Sequence, residues 1–167
     1  MATGAIGTDL SVYLPKWLAT RLREGHEPSD APFVEGGSGA VLFLDIAGFT
    51  ERTDKLAQHG ARGSEELSNL LEDCFATLID IVNEHGGDIV AFAGDGFVAL
   101  WQSKDISYAT HLAAQCGLEL QQAMDGGPPG GGNELRQRIS IDTGKVYRCK
   151  VGGFDGRWHF LVVGDPI

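Results

Sequence analysis

Apolar and polar positions along this chain follow two different periods, and the changes between them mark out its elements. In 14-LPKWLATRLRE-24, Trp17, Leu18 and Leu22 form a stripe at helical spacing, with Pro15 suited to a first turn and Gly25 as a stop. The stretch 26-HEPSDAPFVEGGSG-39 is rich in Pro, Gly and Ser and reads as a connection. A short apolar run, Val41 to Ile46, then predicts a buried strand.

The longest helical pattern covers 63–87. Ser64 is placed to cap it, Glu65 and Glu66 suit its positive end, and Gly86-Gly87 ends it. Leu67, Leu70, Leu71, Cys74, Phe75, Leu78 and Val82 share one face of that helix. Two apolar runs follow, DIVAFA (88–93) and FVALW (97–101), around a Gly94-Asp95-Gly96 tip that predicts a hairpin. A second long helix fits 105–124, with Ala109, Leu112, Ala113, Cys116, Leu120 and Met124 inward, before the loop 126-GGPPGGG-132. LRQRISIDTGKVYRC and RWHFLVV predict two more strands, joined through VGGFDG. Strand, helix, hairpin, helix, hairpin is the order of an α+β layer fold, helices on one mainly antiparallel sheet.

Composition narrows the function classes. The chain has 167 residues, 43% of them hydrophobic and 22% charged, enough for one domain with a real core. A net charge of −10 argues against a nucleic-acid partner, which calls for a basic face. No apolar run reaches the roughly 18 residues of a membrane span and no signal peptide is present, so a cytoplasmic location is expected. Cys74, Cys116 and Cys149 are odd in number and far apart, which predicts reduced thiols.

The chemistry concentrates in 41-VLFLDIAGFT-50 and the hairpin tip. Asp45 ends the first strand and Asp95 sits in the tip; if these strands are neighbours, both carboxylates emerge at one edge. Without a cation they repel, whereas with Mg²⁺ they are hard oxygen ligands beside substrate phosphates. Glycine and threonine just beyond Asp45 then supply backbone N–H groups for an anion. Taken singly, each aspartate has an ordinary role, Asp95 as a turn residue and Asp45 as a helix cap; the pair favours a metal site.

Three segments carry a resemblance: Phe43-Leu44-Asp45-Ile46-Ala47-Gly48-Phe49-Thr50, 86-GGDIVAFAGDGFVALW-101 and 138-RISIDTGKV-146. Together they resemble the class III nucleotidyl cyclase catalytic domain. Within it, 12-VYLPKWLATRL-22 and 159-HFLVVGDPI-167 are most similar to the first catalytic half of bicarbonate-responsive soluble adenylyl cyclases and their bacterial relatives. The resemblance implies a ferredoxin-like βαββαβ core and cyclisation of ATP, the ribose 3′-hydroxyl attacking the α-phosphorus with release of pyrophosphate. It implies two Mg²⁺ or Mn²⁺ ions, with Asp45, Asp95 and the Ile46 carbonyl as ligands. Gly48, Phe49 and Thr50 would cradle the terminal phosphates, and Arg138 would contact them.

The family builds its site between two domains, and the resemblance also shows what is missing. The position of the adenine-reading lysine is Ala91, that of its polar partner is Leu161, and the ribose and transition-state residues would fall beyond Ile167. A homodimer of this chain is therefore expected to be nearly inactive. The natural partner would be a second cyclase half, in the same or another chain, and control by bicarbonate is not expected. The division expected is 1–39 as an N-terminal helix and connection, and 40–167 as a cyclase-like domain lacking its last helix and strands. Such an ending would leave a sheet edge open to self-association. Two functions stand beside each other: the metal-bearing half of an adenylyl cyclase, and a catalytically silent module that binds nucleotide or a sister domain and regulates it. A metal-dependent phosphohydrolase lacks support, since no histidine stands near either aspartate in the motifs.

Overall fold

The computed structural model describes residues 14–24, 31–47, 53, 56, 60–125 and 136–167. In chain order these form α1 (Lys16–Arg23), β1 (Phe33–Ala47), α2 (Gly60–Glu84), β2 (Asp88–Ala93), β3 (Gly96–Gln102), α3 (Ile106–Ala123), β4 (Arg136–Gly152) and β5 (Trp158–Gly164), with a short 3-10 turn, Phe154–Gly156, before β5. The sheet has the order β2-β3-β1-β4-β5, and every neighbouring pair is antiparallel. Its first four strands have the order of the expected βαββαβ core, so the α+β, ferredoxin-like prediction holds.

Alternation along β1 sorts the sheet into two faces. Ala40, Leu42, Leu44 and Ile46 point into the main core and are almost wholly buried. There they meet Cys74, Leu78 and Val82 of α2, Ala113, Cys116 and Leu120 of α3, and Phe97, Ala99 and Trp101 of β3. The inward faces predicted for both long helices are therefore those that pack, with Leu67, Leu71 and Phe75 half-buried at the margin. Val41, Phe43 and Asp45 take the alternate positions and face away from α2 and α3. On that second face Val41, Leu100 and Val146 form a smaller cluster, and Trp17 of α1 meets Phe33 and Phe160 edge-on at centroid distances of 6.4 and 6.0 Å.

Three local expectations are corrected. The first strand begins at Phe33, inside the stretch read as a connection. Its glycines serve close approach: a Cβ at Gly37 would lie 2.4 Å from the Gln102 amide nitrogen, and one at Gly39 2.9 Å from the Trp101 carbonyl oxygen. Ser64 is not a cap, because α2 already starts at Gly60, and its hydroxyl donates back to the Gly60 carbonyl at 3.4 Å. The hairpin tip is shorter than expected, because Gly96 already pairs with Ala93 and with Asp45 as a strand residue. Only Gly94 and Asp95 turn the chain, Gly94 taking the positive φ of 63°. The loop 126–132 lies outside the described residues.

Candidate functional site

β1 is the central strand, and its C-terminal end is where the predicted chemistry gathers. Asp45 pairs with Gly96 of β3 on one side and with Arg138 of β4 on the other. Residues directly opposite across an antiparallel ladder share a face, so Arg138 lies on the same side of the sheet as Asp45. Asp95 adjoins Gly96, and the Ile46 N–H donates to the Asp95 carbonyl at 3.2 Å, tying the strand end to the turn. The sheet thus brings Asp45 and Asp95 to one edge.

Backbone geometry adds a third oxygen. In a strand the N–H and C=O of one residue leave toward the same neighbour, so the Ile46 carbonyl is directed toward the Asp95 turn as its N–H is. Among the described residues no N–H of that turn bonds back to it. Asp45 and Asp95 are each half-buried, while Arg138 is exposed. Among the described residues neither aspartate side chain takes a hydrogen bond or an ion pair, and Arg138 is not bridged to Asp45. A cation bound between the two carboxylates would balance both charges. Two carboxylates and a backbone carbonyl are a hard oxygen set suited to Mg²⁺ or Mn²⁺ and poor for soft metals. Among the described residues no cluster of three or more His, Cys, Asp or Glu side chains offers a competing centre.

Of the remaining predicted positions, Gly48, Phe49 and Thr50 lie outside the described residues. Ala91 pairs with Val98, which pairs with Phe43, so it lies two strands from β1 on Asp45's face, and it is exposed. Leu161 pairs with Cys149, which pairs with Val34, placing it on the alternate set of positions in the far half of the sheet. The structure brings Asp45, Ile46, Asp95 and Arg138 together and leaves Leu161 apart from them.

Sequence reasoning passed over one group, Asp88 at the root of β2. Its carboxylate accepts the backbone N–H groups of Lys16 at 2.7 Å and Trp17 at 2.9 Å. Burial pushes its pKa above the usual carboxylate range, and those two N–H groups, with the charges of Lys16 and Arg148, pull it partly back. Nothing local signals this, since the partners lie 72 and 71 residues away.

Comparison with known proteins bears on the fold and the family. Residues 35–166 match the family model described as the adenylate and guanylate cyclase catalytic domain. Adenylate cyclase type 10 of Homo sapiens is 31% identical over 147 residues, which are 86% of this chain and 9% of that protein, so the chain spans a small part of this relative. A bacterial light-regulated adenylyl cyclase superposes with a TM-score of 0.71 at 17% identity, over 94% of this chain and 43% of the other. The guanylyl cyclase Cya2 does so at 0.60 and 27% identity, over 79% and 66%. With the family match running from the start of β1 to beyond β5, this chain belongs to the adenylate and guanylate cyclase catalytic domain family.

Proposed function

We infer that this chain is the metal-bearing half of an adenylyl cyclase, converting ATP to 3′,5′-cyclic AMP and pyrophosphate where it meets a second cyclase half. The observation that carries the reading is the gathering at one edge of the sheet of the Ile46 carbonyl and two carboxylates, Asp45 and Asp95, that have no partner among the described residues. Asp45, Asp95 and Ile46 would hold two Mg²⁺ or Mn²⁺ ions. Bound there, the ions would supply Lewis acidity toward the 3′-hydroxyl and charge balance for the β- and γ-phosphates.

The protein's own groups would contribute position. The β1–β3 ladder fixes Asp45 against the Asp95 turn, so the ligands need little reorganisation. Arg138, exposed on the same face, would contact the terminal phosphates and offset part of the overall charge of −10. Gly48, Phe49 and Thr50 would add the phosphate cradle. The base would be read by the partner half, because Ala91 and Leu161 offer it no hydrogen bond. The name of the human relative favours ATP, while a structural relative is named a guanylyl cyclase, so both nucleotides belong in the test.

The same two side chains favour a second reading, a silent module that binds metal–nucleotide or a sister domain and regulates it. Calorimetric titration with non-cyclisable ATP and GTP analogues, with and without Mn²⁺, examines the shared premise. Binding should require Mn²⁺ and be lost in Asp45→Ala and Asp95→Ala. Metal-independent binding, equal in all three proteins, would overturn the metal assignment. Addition of a candidate second half then separates the readings, since only the enzyme gains cyclase turnover.

A further inference from the structure

α1 is an eight-residue helix, too short to hold its shape alone. Its N-cap is Pro15, which provides no side-chain cap. That role is filled from β2, where the two oxygens of Asp88 each accept one N–H of the first turn, from Lys16 and from Trp17. The Lys16 ammonium donates to the Gly87 carbonyl at 2.7 Å, just before β2 begins. Elsewhere the helix is held by Trp17 between Phe33 and Phe160, by the Arg148 guanidinium 5.3 Å over the Trp17 ring, and by an Arg21–Glu35 ion pair. It therefore bridges the root of β2 to β1, β4 and β5 across the second face of the sheet.

Packing on the other flank is incomplete. A cleft of about 830 Å³ lies between α1, α2 and β2, lined by Ala19, Thr20, Ile79, Asn83 and Ala91 among others. Among the described residues β2 is an edge strand, laddered to β3 alone, and its ladder slips in register between Ile89 and Ala91. Its root is thus anchored by α1, while its tip carries Asp95 beyond the irregularity. Beyond the slip Ala91, Phe92 and Ala93 pair again with β3 and Phe92 meets Phe75 of α2, so the root is the part of β2 that gains most from α1.

We propose that α1 is a latch and Asp88 its positioning residue: docking of the helix on Asp88 holds the root of β2, and so limits how far the Gly94-Asp95 turn can move about the contact that the β1–β3 ladder makes with Asp45. The part concerning the metal site rests on the function proposed above; the mechanical part does not. Whatever pulls on the segment ahead of α1 would then act on the site through β2.

Hydrogen exchange on the full chain tests the mechanical part, comparing wild type with Asp88→Asn, which removes the capping carboxylate, and Trp17→Ala, which removes the packing of α1 on Phe33 and Phe160. Both variants should raise exchange about tenfold or more over 14–24 and also over 89–97, with α2 and α3 unchanged. Release of 14–24 with 89–97 unaltered would overturn the latch, as would a helix that stays protected in both variants. Global unfolding of both would do so too, since α1 would then belong to the core. Affinity for Mn²⁺ with the ATP analogue should weaken about three- to tenfold in both variants, and unchanged affinity would remove the link to Asp95. If the wild type shows no Mn²⁺-dependent binding, the metal reading fails while the exchange result still decides the latch.

Discussion

Replacing Gly96 by alanine is the sharpest test of how the site is built. Gly96 faces Asp45 across the β1–β3 ladder, and an added Cβ would stand 2.2 Å from the Leu44 carbonyl oxygen, where real contacts stay above 3.0 Å. The same atom would lie 3.1 Å from the Asp45 Cα. Both obstacles are backbone of the central strand, so neither can swing aside. Gly96 is not among the residues with positive φ, and with room available alanine would stabilise by about 0.4–1 kcal/mol through the unfolded chain. The clash reverses that sign. Overpacking against rigid surroundings costs about 1–3 kcal/mol and a disturbed ladder hydrogen bond about 1 more, so Gly96→Ala should lose about 2–4 kcal/mol. Urea unfolding followed by tryptophan fluorescence reads this, Trp101 being buried in the core. Gly94→Ala is the control, with nothing within 4 Å of its Cβ and only the left-handed φ of 63° to oppose it, a cost of about 1 kcal/mol. A Gly96→Ala protein as stable as wild type would refute the close approach, and with it the placement of Asp45 against the turn.

Other consequences follow from the same structure. Leu78 is fully buried between α2 and the sheet, so Leu78→Ala should cost about 2–5 kcal/mol by calorimetry or urea, and a loss below 1 would mean that α2 packs otherwise. Burial pushes the thiols of Cys74 up to about 11 and of Cys116 up to about 12; both stay protonated at pH 8, so a disulfide reagent should label them only after denaturant is added. Asp88 holds its proton more tightly folded than unfolded. Its contribution to stability therefore falls as pH rises from the unfolded pKa through the raised folded one. Wild type should lose stability relative to Asp88→Asn over that interval, and parallel urea midpoints would contradict the shift.

Local sequence determined a good deal of this protein. The 3.6-residue spacing on α2 and α3 fixed which side chains face the core, because each helix buries one wide stripe. Apolar runs broken by Gly94-Asp95-Gly96 fixed a hairpin, and three motifs, around Asp45, Asp95 and Arg138, pointed to the family. Beyond this, only the assembled sheet could decide. Gly36, Gly37 and Gly39 read as a linker by composition, yet they are ladder residues whose missing side chains make room for Tyr147, Gln102 and Trp101. Asp45 and Asp95 are distant in sequence, and the β1–β3 register makes them neighbours. Asp88 carried no signal of its own, since the N–H groups it caps belong to a helix 72 and 71 residues earlier in the chain. Periodicity reports which face of an element is buried; which elements meet, and in what register, depends on contacts that a linear pattern does not contain.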